Sequence, residues 1–183
     1  ERSRGLGDVY KRQESGGAPG SLPTDTRLLD DLADIVDSTR ARMDKGTPLI
    51  VLGHSMGGLV AGRFVSLGLR KVDALVMSSP ALDPGLSAFQ KLLLAVLPRF
   101  LPNLRVGNGL NADYISHDPA VVAAYRSDRL VHDRISGRLA RFIATAGPAT
   151  VALAPQWKVP TLLMYAGDDL SLIHISEPTR PLY

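Results

Sequence analysis

The feature that most constrains this chain is a short apolar run that leads directly into a glycine-rich turn. Residues Pro48 to Leu52 are continuously apolar, which predicts a strand buried on both faces of a sheet. Gly53-His54-Ser55-Met56-Gly57 follows at once, and Leu59 to Leu67 then has the pattern of a helix that stops at Gly68. A strand, a tight turn and a helix in this order place the hydroxyl of Ser55 on a sharp corner.

Two further strands are predicted, at Val72 to Met77 and at Val159 to Tyr165. A strand, a helix and a strand at short spacing require a crossover connection, so the fold class is α/β with a mostly parallel sheet of three recognisable strands. An amphipathic helix is predicted before the first strand. Thr24 or Asp25 can cap its start, and Gly46 can end it.

The segment between the second and third strands is predicted to be a helical lid insertion, at about residues 84–157. It has no convincing strand and carries three helix-like runs, at Ala88 to Leu101, Pro119 to Arg126 and Arg134 to Ala146. The first run is strongly apolar, which suits either an acyl-chain channel that contacts lipid or ordinary packing on the domain below. We favour ordinary packing for most of these residues, and peripheral membrane contact through the lid stays open.

The turn at Ser55 has the Gly-x-Ser-x-Gly pattern of the nucleophile elbow found in α/β-hydrolases. A serine hydroxyl attacks well only when a base removes its proton, and the strained corner projects Oγ toward such a partner. Gly53 and Gly57 are expected to let the strand and the helix approach closely, and the backbone N–H of Met56 to donate to an oxyanion. The alternative is a glycine-rich β–α turn with no catalytic serine.

The acid of a catalytic triad should follow a later strand, because the order in this fold is serine, acid, histidine. Asp169, at the tip of the third strand, is our first choice, and Asp168 is the alternative. Both could also be ordinary solvated loop residues. Asp83, after the second strand, is a weaker rival that more often caps a helix or turn.

No histidine is well placed to act as the base. His54 lies inside the turn, His117 and His132 lie in the lid, and His174 lies in a tail that looks foreign to the domain. We therefore expect the catalytic histidine to be missing from this chain, together with the His-Gly loop that completes the oxyanion hole. On this interpretation the chain is truncated, inactive and poorly stable.

Both ends resemble the translation of a sequencing adapter. Residues 3–13 can be encoded by such a DNA tag, and residues 170–180 by its reverse complement. We expect residues 1–13 and 170–183 to be artefacts of this kind, which leaves residues 14–169 as a partial domain. The end segments also carry +2 of the net charge of +3, so the remaining, nearly neutral domain gives no reason to expect nucleic acid as a partner.

The composition of the chain also limits which kinds of site it can carry. The chain has no cysteine, which excludes disulfides and thiolate metal sites. We predict no cofactor and no metal. No apolar run approaches the roughly 20 residues needed to span a bilayer, and the default location is the cytoplasm. The oligomeric state cannot be inferred from these features.

Four segments together resemble one family. They are Leu49 to Gly58, Ser78 to Leu82, Pro160 to Leu163 with Gly167 and Asp169, and Tyr114 to Pro119. They look like the monoacylglycerol lipase and lysophospholipase group, often labelled serine aminopeptidase-like hydrolases. The resemblance implies that Ser55 is the nucleophile, Asp169 the triad acid and Met56 an oxyanion donor.

The same resemblance implies a fatty-acyl ester as substrate, such as a monoacylglycerol or a lysophospholipid. Alternatives within the fold are a small-ester carboxylesterase, a thioesterase or an aminopeptidase-like hydrolase. An alternative of another class is a non-catalytic binding protein that keeps the hydrolase fold. The intact turn at Ser55 together with Asp169 argues against this last alternative.

Overall fold

The computed structural model describes residues 18–83, 103–108 and 111–165, and residues 94, 96, 100 and 101 between them. Three strands form a parallel sheet in the order β1-β2-β5: β1 is Ile50–His54, β2 is Ala74–Ser78 and β5 is Thr161–Met164. This confirms the predicted parallel α/β arrangement. β1 lies two residues later than predicted, because Gly53 and His54 continue the pairing with Met77 and Ser78.

Helices cover one face of this sheet. α1, Arg27–Arg40, precedes β1, and α2, Met56–Ser66, connects β1 to β2. Their buried side chains meet those of the strands in one apolar core, whose strand members are Val51, Leu75 and Met77. Phe64 of α2 is fully buried at its centre. Apolar burial of this kind is the main stabilising contribution to such a unit.

The other face of the sheet is exposed, which corrects the prediction of strands buried on both faces. Burial alternates along β1, and Ile50 and Leu52 are 59% and 68% exposed. Leu162 of β5 lies beside Val76 on this face and is 55% exposed. The strands are continuously apolar, as in sheets covered on both sides, yet the described residues cover only one side.

The segment between β2 and β5 contains helices and also two short strands that the sequence did not predict. β3, Arg105–Gly107, pairs antiparallel with β4, Arg134–Ser136, and α3 is Pro119–Ser127. α4 is Gly137–Ala152, so it begins three residues later than the predicted run at Arg134 and ends six residues later. The Ser136 hydroxyl accepts a hydrogen bond from the Leu139 N–H and caps α4, while pairing with β3 holds residues 134–136 extended.

Two further expectations about α1 are wrong. Its N-cap is Thr26, not Thr24 or Asp25, and Asp25 instead forms an ion pair with Arg141 of α4. The helix ends at Arg40, well before Gly46, and the Arg40 guanidinium donates to the Thr47 carbonyl and to Asp73. The predicted run at Ala88 to Leu101 lies mostly outside the described residues. Within the described part of the chain, no helix is both long and apolar enough to cross a bilayer.

Candidate active site

Ser55 occupies the corner between β1 and α2, as predicted. Its backbone has φ of 52° and ψ of −120°, a combination that L-residues other than glycine rarely adopt. A strained conformation at a non-glycine residue persists only when its surroundings fix it, and such residues concentrate at active sites. The side chain is half-buried.

The glycines of this turn differ in whether a side chain would fit at their positions. A Cβ added to Gly53 would lie 2.6 Å from the carbonyl carbon of Gly57, so Gly53 is required for the close approach of strand and helix. A Cβ on Gly57 would meet no atom of the described residues within 4 Å. The expectation that Gly57 also relieves crowding is therefore wrong for this part of the molecule. Gly58 takes that role, because its added Cβ would lie 2.9 Å from the Cβ of Pro80.

Met56 is the first residue of α2, directly after the serine. The N–H groups of a helix's first turn have no acceptor within the helix, and they lie at the positive end of its dipole. Its amide is therefore available at the position where an oxyanion donor is needed.

The strand that precedes Asp168 and Asp169 in the sequence, β5, ends at the same edge of the sheet as Ser55. His54, Ser78 and Met164 are level with one another across the three strands, so β5 ends at the same edge of the sheet as the turn, with β2 between them. Tyr165 comes next and is the last described residue of that segment, and burial raises the pKa of its phenol. Asp168 and Asp169 lie outside the described residues. Asp83 is described and exposed, on the loop after β2.

The three described histidines are exposed, and two of them have hydrogen-bond partners other than Ser55. The Nδ1 atom of His54 lies 3.1 Å from the Ser78 hydroxyl, and that of His132 lies 3.0 Å from the Arg134 carbonyl oxygen. His117 lies between a short 3₁₀ turn and α3. No hydrogen bond joins any of these rings to Ser55 within the described ranges. His174 lies outside them.

A cavity of about 330 Å³ in the segment between β2 and β5 includes His132 but no residue of the turn. Its lining is mixed: Asn108, Ala112, Tyr125, Arg126, Val131, His132 and Asp133. Arg126, on its wall, already forms an ion pair with Asp113 at 2.8 Å. Nothing in this cavity brings His132 toward the serine.

The contact between the loop that follows β2 and the turn at Ser55 was not predicted from the sequence. Ser79 has a positive φ of 39° and is 5% exposed, and Pro80 is fully buried against the first turn of α2. The Ser-Pro pair indicated a loop, but nothing in it indicated contact with the nucleophile. That contact depends on the packing of β2 against β1 and α2.

Comparison with known proteins agrees with this geometry. The profile of the family described as serine aminopeptidase, S33, matches residues 4–175. A monoacylglycerol lipase of Mycolicibacterium smegmatis is 34% identical over 150 residues, which cover 77% of this chain and 53% of that protein. Phospholipase YtpA of Bacillus subtilis is 31% identical over 168 residues, which cover 90% of this chain and 64% of the relative.

A solved structure also resembles this chain in both fold and sequence. The crystal structure of Paleococcus ferrophilus monoacylglycerol lipase superposes with a TM-score of 0.64 and 34% sequence identity, covering 75% of this chain and 53% of that one. The chain thus spans about half to two thirds of the length of these relatives. With the turn at Ser55, the parallel sheet and the family match in agreement, the chain belongs to the serine aminopeptidase (S33) family of α/β-hydrolases.

Proposed function

We propose that the protein is a serine hydrolase that cleaves acyl esters of the monoacylglycerol or lysophospholipid type through an acyl-enzyme on Ser55. The observation that carries the proposal is the backbone of Ser55, held at φ of 52° between β1 and the start of α2. A binding protein has no need to retain a strained serine at this corner. The relatives named monoacylglycerol lipase and phospholipase support the choice of substrate class.

The proposed reaction has two steps. The Ser55 oxygen attacks the ester carbonyl carbon while a histidine takes its proton, and the Met56 N–H donates to the resulting oxyanion. The oxyanion collapses, the bond to the alcohol breaks, and the histidine returns the proton to the leaving alcohol. Water then attacks the acyl-enzyme in the same way and releases the fatty acid.

Asp169 is proposed to orient that histidine, with Asp168 as the alternative. The strand register supports this assignment, because β5 ends at the same edge of the sheet as the turn and both acids follow it within five residues. The histidine itself we place in a longer protein of which this chain is a part. The coverage of about half of two relatives and the exposed apolar face of the sheet both support a partial domain.

The chain alone is therefore proposed to be inactive, with residues 14–169 as its hydrolase part. We attribute residues 1–13 and 170–183 to a DNA tag, on the matching codons at the two ends. Expression of residues 1–183 and assay of a short-chain nitrophenyl ester tests this proposal. Turnover that depends on Ser55 would contradict it and would return His117, His132 or His174 as candidate bases.

The segment between β2 and β5 is proposed to act as a lid that contacts lipid from the cytoplasmic side. Apolar side chains on its described part are exposed, and Phe100 is the most exposed of them at 77%. Leu101, Leu104 and Val106 are exposed nearby. A surface of this kind can bind the edge of a lipid aggregate without spanning a membrane.

The central experiment replaces Ser55 in the longer protein, obtained by recovering the flanking coding sequence. Ser55→Ala should lower kcat/KM for a monoacylglycerol on the order of 10³-fold or more and abolish labelling by a fluorophosphonate probe, because triad residues act as a unit. Ser66→Ala, at the end of α2, is the matched control and should keep both. Unchanged ester hydrolysis by Ser55→Ala would contradict the proposed function. A preference for short esters or thioesters would keep the mechanism and change the substrate class.

A further inference from the structure

The loop that follows β2, residues Ser79 to Leu82, contacts the nucleophile more closely than its position in the sequence suggests. Ser79 is 5% exposed and Pro80 is fully buried, which is unusual for a loop that connects two elements. We refer to these four residues as the post-β2 loop. It lies between the first turn of α2 on one side and α4 on the other.

Main-chain hydrogen bonds join Ser55 to β2 and to this loop in both directions. The Ser55 N–H donates to the Ser78 carbonyl oxygen at 2.9 Å, and the Ala81 N–H donates to the Ser55 carbonyl oxygen at 3.1 Å. The Leu59 N–H, one helical turn along α2, also donates to the Ser55 carbonyl at 3.1 Å. Both polar groups of the Ser55 backbone are thus held, and one of these bonds comes from the post-β2 loop.

Steric contact holds the loop in the position that this bond needs. A Cβ added to Gly58 would lie 2.9 Å from the Cβ and 3.1 Å from the Cα of Pro80, so Pro80 packs directly on the helix backbone. On the far side, a Cβ added to Gly147 of α4 would lie 2.6 Å from the carbonyl carbon of Leu82. Glycines on both sides therefore allow the loop to fit between two helices, with no room for it to shift.

The backbone of the loop is itself strained. Ser79 has a φ of 39°, and its N–H donates to the Met164 carbonyl at the end of β5 at 2.7 Å. A serine in the left-handed region is maintained only by surrounding contacts. The loop is therefore fixed by β5, α2 and α4 together rather than by its own preference.

We propose that Pro80 and Ala81 are positioning residues for the nucleophile: Pro80, wedged on Gly58, keeps the Ala81 N–H on the Ser55 carbonyl and so fixes the direction of Oγ. This inference rests on the proposed function of Ser55. Misplacement of a reacting atom by about 1 Å can lower a rate about 100-fold without loss of substrate binding. The positioning role therefore predicts an effect on kcat, whereas a purely structural role predicts an effect on the melting temperature alone.

The test uses Gly58→Ala, Pro80→Gly and the double variant in the longer protein. Gly58→Ala pushes the wedge away and should lower kcat about 10- to 100-fold, with KM within about twofold of the wild-type value. Pro80→Gly removes the wedge and should lower kcat by a smaller factor. The double variant returns a methyl group to the vacated space and should recover most of the lost kcat, since the two residues are in contact and their effects are not additive.

Gly62→Ala is the matched control, one turn further along the same helix. Its added Cβ would meet the end of the flexible Met77 side chain at 3.0 Å, which can move aside. Its kcat should stay within about twofold of the wild-type value. If Gly58→Ala and Gly62→Ala behave alike, or if Pro80→Gly leaves kcat unchanged, the positioning role is wrong. If Gly58→Ala does not fold, Pro80→Gly alone decides the question.

Hydrogen exchange separates this inference from the proposed function, because it needs no activity. The Ala81 amide should exchange on the order of tenfold faster in Pro80→Gly than in the wild type. Unchanged exchange would show that Pro80 does not hold the Ala81 N–H on the Ser55 carbonyl. If the unsubstituted longer protein shows the expected protection but Ser55 does not react with a fluorophosphonate, the proposed function fails instead. If Ser55 reacts and the wedge variants keep wild-type kcat, only the positioning role fails.

Discussion

The two ends of the β1–β2 pair are both closed by reciprocal hydrogen bonds, but they use different chemistry. At the amino end, the Leu49 N–H donates to the Asp73 carboxylate at 2.7 Å, and the Asp73 N–H donates to the Leu49 carbonyl at 2.9 Å. Arg40 adds an ion pair to the same carboxylate. At the carboxyl end, main-chain groups hold the Ser55 backbone, and the Nδ1 atom of His54 lies 3.1 Å from the Ser78 hydroxyl beside them.

The two ends therefore differ in whether a carboxylate holds the strands together. A charged side chain ties the amino end, so that end responds to pH, and its Asp73 and Arg40 side chains are only about one third exposed. At the carboxyl end, the described contacts to the Ser55 backbone come from neutral peptide groups and from steric fit, and no carboxylate takes part in them.

The largest expected effect is at the carboxyl end, where we propose that an acid orients the catalytic histidine. Asp169→Asn in the longer protein should lower kcat on the order of 10⁴-fold, because an amide leaves the histidine in the wrong tautomer. Asp168→Asn should cost far less. Steady-state kinetics on one ester substrate checks both, and the reverse ranking would assign the acid to Asp168.

A smaller effect is expected from crowding at the turn. Gly53→Ala forces a methyl group against the Gly57 backbone and should lower the free energy of unfolding by about 1–3 kcal/mol, as overpacking does elsewhere. Gly57→Ala meets no described atom and gains helix propensity, so its stability should be unchanged or higher. Urea unfolding measures both. Equal losses in the two variants would show that the glycines are not distinguished by packing.

The amino end should respond to acid. The Leu49 N–H, followed by Arg40, lowers the pKa of Asp73, so its contribution to stability is complete above the unfolded pKa of about 3.9 and is lost as pH falls through the lower folded value. Asp73→Asn should therefore lower the melting temperature at pH 7 and flatten its decline below about pH 4.

Asp37→Asn is the control for this prediction. Asp37 also pairs with an arginine, Arg70, but it receives no backbone N–H and lies half-exposed on α1. Its loss should lower the melting temperature less than that of Asp73→Asn, because exposed ion pairs stabilise little. If the two variants have the same melting temperature, the hydrogen bond from the Leu49 N–H does not give Asp73 a greater stabilising effect than Asp37.

The smallest expected effect concerns the strained loop. At Ser79, glycine should be more stable than alanine by about 1 kcal/mol, because alanine keeps the left-handed strain and glycine does not. At Ser78, the last residue of β2, the order should reverse by about 0.5–1 kcal/mol, because glycine loses more entropy in an extended strand. Thermal unfolding of the four variants checks the sign at each position. The same order at both would show that Ser79 stores no strain.

Local patterns in the sequence predicted the parts of this molecule that depend on neighbouring residues. The apolar runs of β1, β2 and β5, the corner at Ser55 and most of α2 follow from composition and spacing alone, although α2 begins at Met56, three residues before the predicted Leu59. The parallel pairing then follows from the short crossover between β1 and β2. The family is shown by the comparisons, while the roles of Ser55, Asp169 and Met56 stay predictions.

What could not be predicted depends on residues far apart in the chain. β3 and β4 are three residues each and exist only because they pair with one another across nearly thirty residues. Arg40, the last residue of α1, pairs with Asp73, and the left-handed Ser79 donates its N–H to Met164. The exposed face of the sheet was not predicted. A continuous apolar run indicates that other elements pack on both faces of a strand, but it does not indicate which residues form those elements.

The place of β5 in the sheet has a consequence for how the protein is made. β2 pairs with β5 although some 80 residues separate them, and the Ser79 N–H finds its acceptor only when Met164 is in place. At synthesis rates of about 5–20 residues per second, β5 follows β2 out of the ribosome by roughly 4–17 s. During that interval one edge of β2 is open to other chains, and the corner at Ser55 lacks its last support. The corner at Ser55 therefore gains its full set of supporting contacts only after β5 has been translated.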